Sequence, residues 1–124
     1  MKIMINHSSM QPIYEQIVEQ VKAQVLHGTL QSGEPLPSVR SLAGELKISA
    51  LTVKKAYDFL EQEGLVVTVH GKGSFIAEKN KTLLEEEWKK EVEDAFAAAV
   101  KKGRTYGLSD EELREIFAIV MEEP

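Results

Sequence analysis

Hydrophobic residues recur every three or four positions in three segments of the first half of the chain, which is the spacing of an amphipathic helix. The first segment follows Pro12, a residue that the first turn of a helix accommodates, and Gly28 ends it. The glycine- and proline-rich stretch GTLQSGEPLPS that comes next predicts a loop. The apolar positions of the first segment are Ile13, Ile17, Val18, Val21, Val25 and Leu26.

Two shorter helical segments follow this loop, and a serine precedes each of them. Ser38 and Ser49 stand where a side-chain oxygen caps a helix N-terminus, and Gly64 is expected to end the second segment. Because only a few residues separate the two segments, the pattern predicts a helix-turn-helix. The residues expected to face the core are Leu42, Ala43, Leu46, Ile48, Val53, Ala56, Tyr57 and Leu60.

The next stretch predicts a β-hairpin, which makes the unit a winged helix. The runs at 65–69 and 74–77 are too short for helices, and they flank the sequence HGKG. Phosphate-binding loops also combine glycines with a lysine, but they have a longer glycine spacing and a helix directly after the Lys-Ser pair. Phe75 and Ile76 continue here as a strand, so the hairpin is favoured over a nucleotide site.

Two further helical segments occupy the last third, with a break between Gly103 and Gly107. Ser109 and Glu112 have the spacing of a capping box. Two helices alone bury little apolar surface, so their stripes are expected to form a dimer interface. The fold class is therefore mainly α with a small β-hairpin. The expected interface residues are Leu84, Trp88, Val92, Phe96, Leu113, Ile116, Phe117 and Val120.

Charge divides the chain in the same place. Its net charge is -5, yet residues 1–80 contain eight basic and eight acidic residues, whereas residues 81–124 contain seven and twelve. A difference of this kind indicates two functional parts. We expect a winged helix-turn-helix DNA-binding domain at residues 1–80 and a two-helix dimerisation segment at residues 81–124.

Composition disfavours an enzyme, a cofactor or a metal site. The chain has no cysteine, and His7, His27 and His70 have no ligand-like spacing. No catalytic triad or pair of carboxylates can be assembled from the spacing of the residues. The start of the chain lacks the apolar core of a signal peptide, and no run of eighteen apolar residues occurs, so a cytoplasmic location is expected.

Two lysines indicate what the helix-turn-helix binds. Lys54 and Lys55 lie on the outward side of the first half of the second helix, which is the half that enters a major groove. A different class of function stays open, namely a winged-helix module that binds proteins and not DNA. Clustering of these lysines with Arg40 and Lys72 on one face would favour DNA, and their dispersal would favour the protein-binding module.

Four motifs together resemble the GntR family of bacterial transcription regulators. PIYEQIVEQV, LPSVRSLAGEL, ISALTVKKAYDFLEQEGLV and HGKGSFI occur in the order and spacing of that family, over roughly residues 10–77. Fewer than fifty residues follow, which is similar to the YtrA-like branch with its two-helix tail. The resemblance implies a dimeric, repressor-type regulator of an inverted-repeat operator. It leaves open the operator sequence and whether a small-molecule effector binds.

The resemblance also implies roles for single residues. Arg40 matches an arginine that contacts the DNA backbone or a base edge, and Thr52 matches a position that touches phosphate. Lys54 falls where many relatives carry a basic residue. Gly71 and Lys72 match a wing tip that enters the minor groove, where His70 is expected to assist.

One position departs from the family pattern. Many relatives have an arginine where this chain has Ala50, so an operator sequence cannot be transferred from them. Leu51 beside it is suited to contact a thymine methyl group. The predicted DNA-binding residues are therefore Ser38, Arg40, Ser49, Ala50, Leu51, Thr52, Lys54, Lys55, His70, Gly71 and Lys72.

Overall fold

A computed structural model of the chain describes residues 1–78 and 81–123. Within them the order of elements is mainly helical, with one hairpin, as the sequence predicts. The elements form two compact units, Met1–Leu84 and Glu85–Pro124. No helix in the described part is both long enough and apolar enough to cross a membrane. The elements are α1 (Ile13–Leu26), α2 (Val39–Leu46), α3 (Ala50–Gln62), β1 (Val66–Val69), β2 (Gly73–Ile76), α4 (Lys81–Thr105) and α5 (Asp110–Glu122).

Helix α3 is the centre of the first unit, since it packs against α1, α2 and β1. Its inward residues Val53, Ala56 and Leu60 have no exposed surface. Burial of a Val or Leu side chain contributes about 1.5–3 kcal/mol, so Val53 and Leu60 stabilise the unit substantially. Ile17 and Val21 of α1 cover it from one side, at the spacing that the sequence predicts.

Three glutamines on α1 hold the N-terminal segment in an extended conformation, which the sequence pattern does not predict. Gln20 accepts from the Met4 amide at 2.9 Å and donates to the Met4 carbonyl at 2.6 Å. The same pairs of bonds join Gln16 to Asn6 and Gln24 to Lys2. The glutamines are four residues apart on the helix, a rise of about 6 Å, and their partners are two residues apart on the extended segment, a rise of about 6.8 Å. The two spacings therefore match closely.

Helices α2 and α3 begin at the two predicted serine caps. The Ser38 Oγ accepts from the Ser41 amide at 3.0 Å, and the Ser49 Oγ accepts from the Leu51 amide at 3.1 Å. Between them Lys47 has φ 57° and ψ 48°, a left-handed conformation that is uncommon for lysine. The Ile48 amide then donates to the Ala43 carbonyl at 3.0 Å, as in a Schellman motif.

The hairpin pairs β1 with β2 in antiparallel register, with Val66 opposite Ile76 and Val69 opposite Gly73. Part of the predicted loop forms a third extended segment on the other side of β2. There the Gly33 amide donates to the Ile76 carbonyl at 2.7 Å, and the Leu36 amide donates to the Ser74 carbonyl at 2.9 Å. Prolines at 35 and 37 conceal this segment in the sequence, because they are tolerated only at the edges of sheets.

The second unit consists of most of α4 and of α5. The break lies within the predicted range of Gly103 to Gly107: α4 continues through Gly103 to Thr105, and the turn is at Gly107, which has φ +87°. A Cβ atom at Gly103 would lie 2.5 Å from Leu113 Cδ2, so the glycine permits close approach of α5 and remains helical. Ser109 and Glu112 form the predicted capping box.

The hydroxyl of Tyr57 connects α3 to the segment that leads into α2. It donates to the Pro37 carbonyl at 2.7 Å, and the side chain is buried. Tyr57→Phe should lower the free energy of unfolding by about 1 kcal/mol at neutral pH, because the Pro37 carbonyl loses its donor. Urea denaturation measures this, and Tyr106→Phe, at an exposed tyrosine, is the control that should have no effect.

The same substitution should alter the alkaline limit of stability. Burial raises the pKa of Tyr57 to about 12, from 10.0. The unfolded chain therefore loses this proton first, and the stabilisation is complete below pH 10 and is lost as the pH rises towards 12. The difference in stability between wild type and Tyr57→Phe should shrink over that interval. A constant difference up to pH 12 would contradict the assignment.

Candidate DNA-binding surface

The first half of α3 has one exposed face and one face buried in the core. Leu51 is 78% exposed, although it follows a capped helix start and precedes Val53, which is fully buried. Ala50, Lys54 and Lys55 are exposed as well, and Thr52 is partly buried. The cap of this helix is the Ser49 side chain and not Thr52. A leucine left in water on a rigid helix is available for contact with another molecule.

Both lysines on this surface contact other side chains of the chain. The Lys54 Nζ donates to Asp58 Oδ2 at 2.8 Å, one helical turn further along. The Lys55 Nζ lies 4.1 Å from the centre of the Tyr14 ring on α1. The spacing of four residues between Lys54 and Asp58 is a sequence signal for the first contact. The second contact has no such signal, because Tyr14 and Lys55 are far apart in the chain.

Arg40 lies on the exposed side of α2, in the first turn of that helix. Within the described residues its guanidinium has no hydrogen-bond or ion-pair partner, and it forms no salt bridge with Glu45. Ser38, which caps the same helix, is exposed too. Its Oγ accepts one hydrogen bond in the cap, so its hydroxyl hydrogen remains able to donate to a phosphate.

The tip of the hairpin is a tight turn closed by the bond from the Lys72 amide to the Val69 carbonyl, at 2.9 Å. Gly71 has φ +77°, and a Cβ there would meet nothing within 4 Å. Its requirement for glycine is therefore conformational and not steric. His70 and Lys72 beside it are exposed, as expected for a wing tip. The segment that follows is a strand, as the sequence predicts.

In the second unit, the predicted apolar stripe is largely exposed. No residue of α5 is buried, and Val92, Phe96, Ile116, Phe117 and Val120 are all about half exposed. The Phe96 and Phe117 rings lie 5.8 Å apart. Between the helices lies an open apolar groove of ≈ 410 Å³.

Leu84 differs from the other residues that were predicted for the interface. It is 2% exposed and belongs to the first compact unit, so it is part of a core within the single chain. Trp88, one turn later, is partly exposed. Helical periodicity assigned Leu84 to the stripe, because the pattern does not show which part of a long helix packs against its own chain.

Comparison with known proteins decides the family. Residues 13–76 match the family described as "Bacterial regulatory proteins, gntR family". The HTH-type transcriptional repressor YtrA of Bacillus subtilis strain 168 is 38% identical over 126 aligned residues, which cover 95% of this chain and 94% of that protein. The chain belongs to the GntR family. The resemblance that the four motifs carry is thereby confirmed, including the similarity to YtrA.

Two solved structures add to this. A transcriptional antiterminator from Listeria monocytogenes EGD-e has a TM-score of 0.72 and 34% identity, with 98% of this chain and 91% of that one covered. The DNA-binding part of AraR in complex with its operator ORX1 has a TM-score of 0.54 and 25% identity, covering 61% of this chain and 95% of that one. The GntR-family chain thus shares the fold of these regulators, and its hairpin is the wing of that fold.

The wing of this GntR-family chain offers a direct test of the surface. Gly71→Val should leave the unit folded, because an added Cβ atom meets no atom within 4 Å, yet distort the tip, because β-branched residues resist a φ of +77°. We expect unchanged far-ultraviolet circular dichroism and weaker binding to duplex DNA. Gly28→Val, at a similar φ of +78° far from the hairpin in sequence, is the matched control and should leave binding unchanged.

ATP and GTP test the discarded alternative for the same loop. A clear, saturable rise in melting temperature with either nucleotide would contradict the assignment of a wing.

Proposed function

We propose that this GntR-family chain is a repressor-type transcription regulator that binds double-stranded operator DNA as a homodimer. The observation that carries the proposal is the exposed first half of α3, which is capped, seated on a buried face and ended by a glycine turn before the wing. An α-helix of this kind fits the major groove of B-DNA. The operator complex of the similar AraR domain supports the same use of the fold.

The side chains on α3 suggest how bases are read. Lys54 supplies a donor to the acceptors of guanine, and Leu51 supplies an apolar contact to the methyl group of thymine. Ala50 supplies no hydrogen bond at the position where many relatives carry arginine. The operator should therefore contain an A·T pair at the Leu51 step.

Contacts to phosphates come from the elements around α3. Arg40 lies on α2 with no partner among the described residues, and the hydroxyls of Ser38 and Ser49 stand at helix N-termini that attract anions. Thr52 adds a hydroxyl one turn further on. Lys72 and His70 extend from the wing towards the minor groove. Such contacts position a protein on DNA without reading its sequence.

The second unit is proposed to join two copies of the chain. An amphipathic helix pair with no buried residue on α5 leaves aromatic and aliphatic side chains in water, which is unfavourable for a monomer. A second copy that packs on Val92, Phe96, Phe117 and Val120 would cover them. Two recognition helices would then bind half-sites about one helical turn, or a multiple of it, apart.

The remaining features follow from this role. A regulator of bacterial genes acts where the chromosome is, so we propose a cytoplasmic location. A small-molecule effector is not assigned, because the apolar groove of the second unit is the surface proposed for the other protomer. No cluster of three or more potential metal ligands occurs in the described residues.

Arg40→Ala and Lys54→Ala test DNA recognition. Operators are first selected by pull-down of genomic fragments and sequencing. Each variant should then bind the selected duplex about 1–3 kcal/mol more weakly, since one charged contact is removed. Gel shifts at two salt concentrations measure both the loss and the salt slope. Lys90→Ala is the matched control, because Lys90 has the same ion-pair geometry as Lys54 but lies on α4.

If neither Arg40→Ala nor Lys54→Ala changes affinity, α2 and α3 do not recognise DNA. Failure of the wild-type chain to retain any genomic fragment, together with capture of a protein, would favour the protein-interaction module.

Val92→Asp and Val120→Asp test the dimer. Both valines are half exposed, so the substitutions spare the single-chain core but place a carboxylate in the proposed interface. Each variant should sediment as a monomer, and its operator affinity should fall by about a hundredfold because two linked half-sites no longer act together. Met10→Asp, at a fully exposed residue of the first unit, should remain dimeric. Variants that stay dimeric would exclude the second unit as the interface.

A further inference from the structure

An acidic residue lies on the proposed recognition helix itself. Asp58 accepts a hydrogen bond from Lys54 at 2.8 Å, and the two side chains are 58% and 62% exposed. This bond and the charge of Asp58 raise the pKa of Lys54, to which nearby Glu61 also contributes. In the described part of the chain, Asp58 forms no ion pair other than this one. Its charge therefore compensates that of the lysine proposed to face DNA.

The other basic groups of the surface are not compensated in this way. Lys55 lies over the neutral ring of Tyr14, which holds the ammonium group but does not cancel its charge. Arg40 and Lys72 have no ion-pair partner in the described residues. Lys54 alone among these four is paired with an acid in the free protein.

An exposed ion pair of this kind is easily exchanged. Long side chains held at one helical turn in water gain little from their attraction, and added salt screens it further. On non-cognate DNA, where the guanine contact proposed above is not made, a phosphate brought to the same place can therefore take over Lys54. The exchange breaks the pair with Asp58, however, and the loss of that attraction opposes binding whatever the base sequence.

We propose that Asp58 is an electrostatic competitor for Lys54, which lowers the affinity of the chain for DNA of any sequence. The inference rests on the proposed function, since it concerns the same surface. Residues 1–80 carry no net charge, and this competition limits their adhesion to the large excess of non-cognate DNA. Non-cognate binding is almost entirely electrostatic, so the loss of one ion pair has its largest relative effect there.

The salt dependence of DNA binding, which reports the release of counterions, distinguishes this role of Asp58 from a structural one. When a free lysine neutralises a phosphate, about 0.9 of a counterion is released, which steepens the salt dependence of binding. When Lys54 leaves Asp58 for a phosphate, the carboxylate regains cations, and the net release is smaller. A residue that merely stabilised α3 would change affinity without changing this slope.

The test uses the full chain and a random-sequence duplex of about 30 base pairs, for which salt governs affinity. Asp58→Asn should bind about three- to fivefold more tightly at low salt, and its salt slope should steepen by up to about 0.9. Asp94→Asn is the matched control. Asp94 pairs with Lys90 at 2.9 Å with 64% and 66% exposed side chains, and the substitution changes net charge equally, so its binding should equal that of wild type.

Two further variants identify Lys54 as the group through which Asp58 acts. Asp58→Glu keeps the charge and should bind like wild type. In a Lys54→Ala background, Asp58→Asn should lose most of its effect, since no lysine remains to be released. Thermal denaturation of Asp58→Asn and Asp94→Asn should give equal small changes, because each loses one pair of the same kind.

The outcomes separate the inference from the proposed function. If the wild-type chain binds the duplex but Asp58→Asn and Asp94→Asn have the same affinity and the same salt slope, Asp58 is not a competitor for Lys54. If Asp58→Asn raises the affinity for DNA equally with and without Lys54, the exchange of partners by Lys54 is excluded. Asp58 would then act only through the long-range effect of its charge. Wild-type chain that binds neither this duplex nor any genomic fragment overturns DNA binding itself.

Discussion

The turn between α2 and α3 depends on one lysine in the left-handed conformation, and the rest of the proposed DNA surface depends on that turn. Lys47 has φ 57°, which costs a non-glycine residue about 1–3 kcal/mol. The bond from the Ile48 amide to the Ala43 carbonyl and the cap that Ser49 provides directly afterwards offset this cost. Because the turn is so short, α3 begins at a set direction from α2. Tyr57 then secures α3 to Pro37 from the other side.

The two units differ in how far they bury their apolar side chains. In the first, α3 is covered by α1, α2 and β1, and extended segments close the edges of the structure through backbone bonds and three glutamines. In the second, Gly103 lets Leu113 approach and Phe96 meets Phe117, yet no residue of α5 is buried. A self-sufficient core suits a unit that binds DNA alone at one half-site. An uncovered pair of helices suits a unit whose core is completed by another copy, as proposed.

The net charge of each segment does not show how its single charged groups are paired. The surplus of acid lies after residue 80, and residues 1–80 are balanced, so attraction to DNA has to come from the placement of single groups. Arg40 and Lys72 are uncompensated among the described residues, Lys55 is held by a ring, and Lys54 by a carboxylate. The proposed competition of Asp58 for Lys54 would limit the general adhesion of this surface to polyanions and leave the other basic groups able to bind phosphates.

The sequence by itself determined the helices, their serine caps, the hairpin and the family, because each depends on local spacing and local hydrogen bonds. Ser38, Ser49 and the Ser109–Glu112 box act within a few residues, and periodic apolar positions are visible without a partner. Tertiary structure alone decided which side chains meet over long distances in the chain. It places Tyr14 against Lys55, seats residues 33–36 beside β2 and buries Leu84 in the first unit, while most of the predicted stripe stays exposed. The periodicity of the sequence indicates that a helix face is apolar, but only the packing in the tertiary structure shows what covers that face.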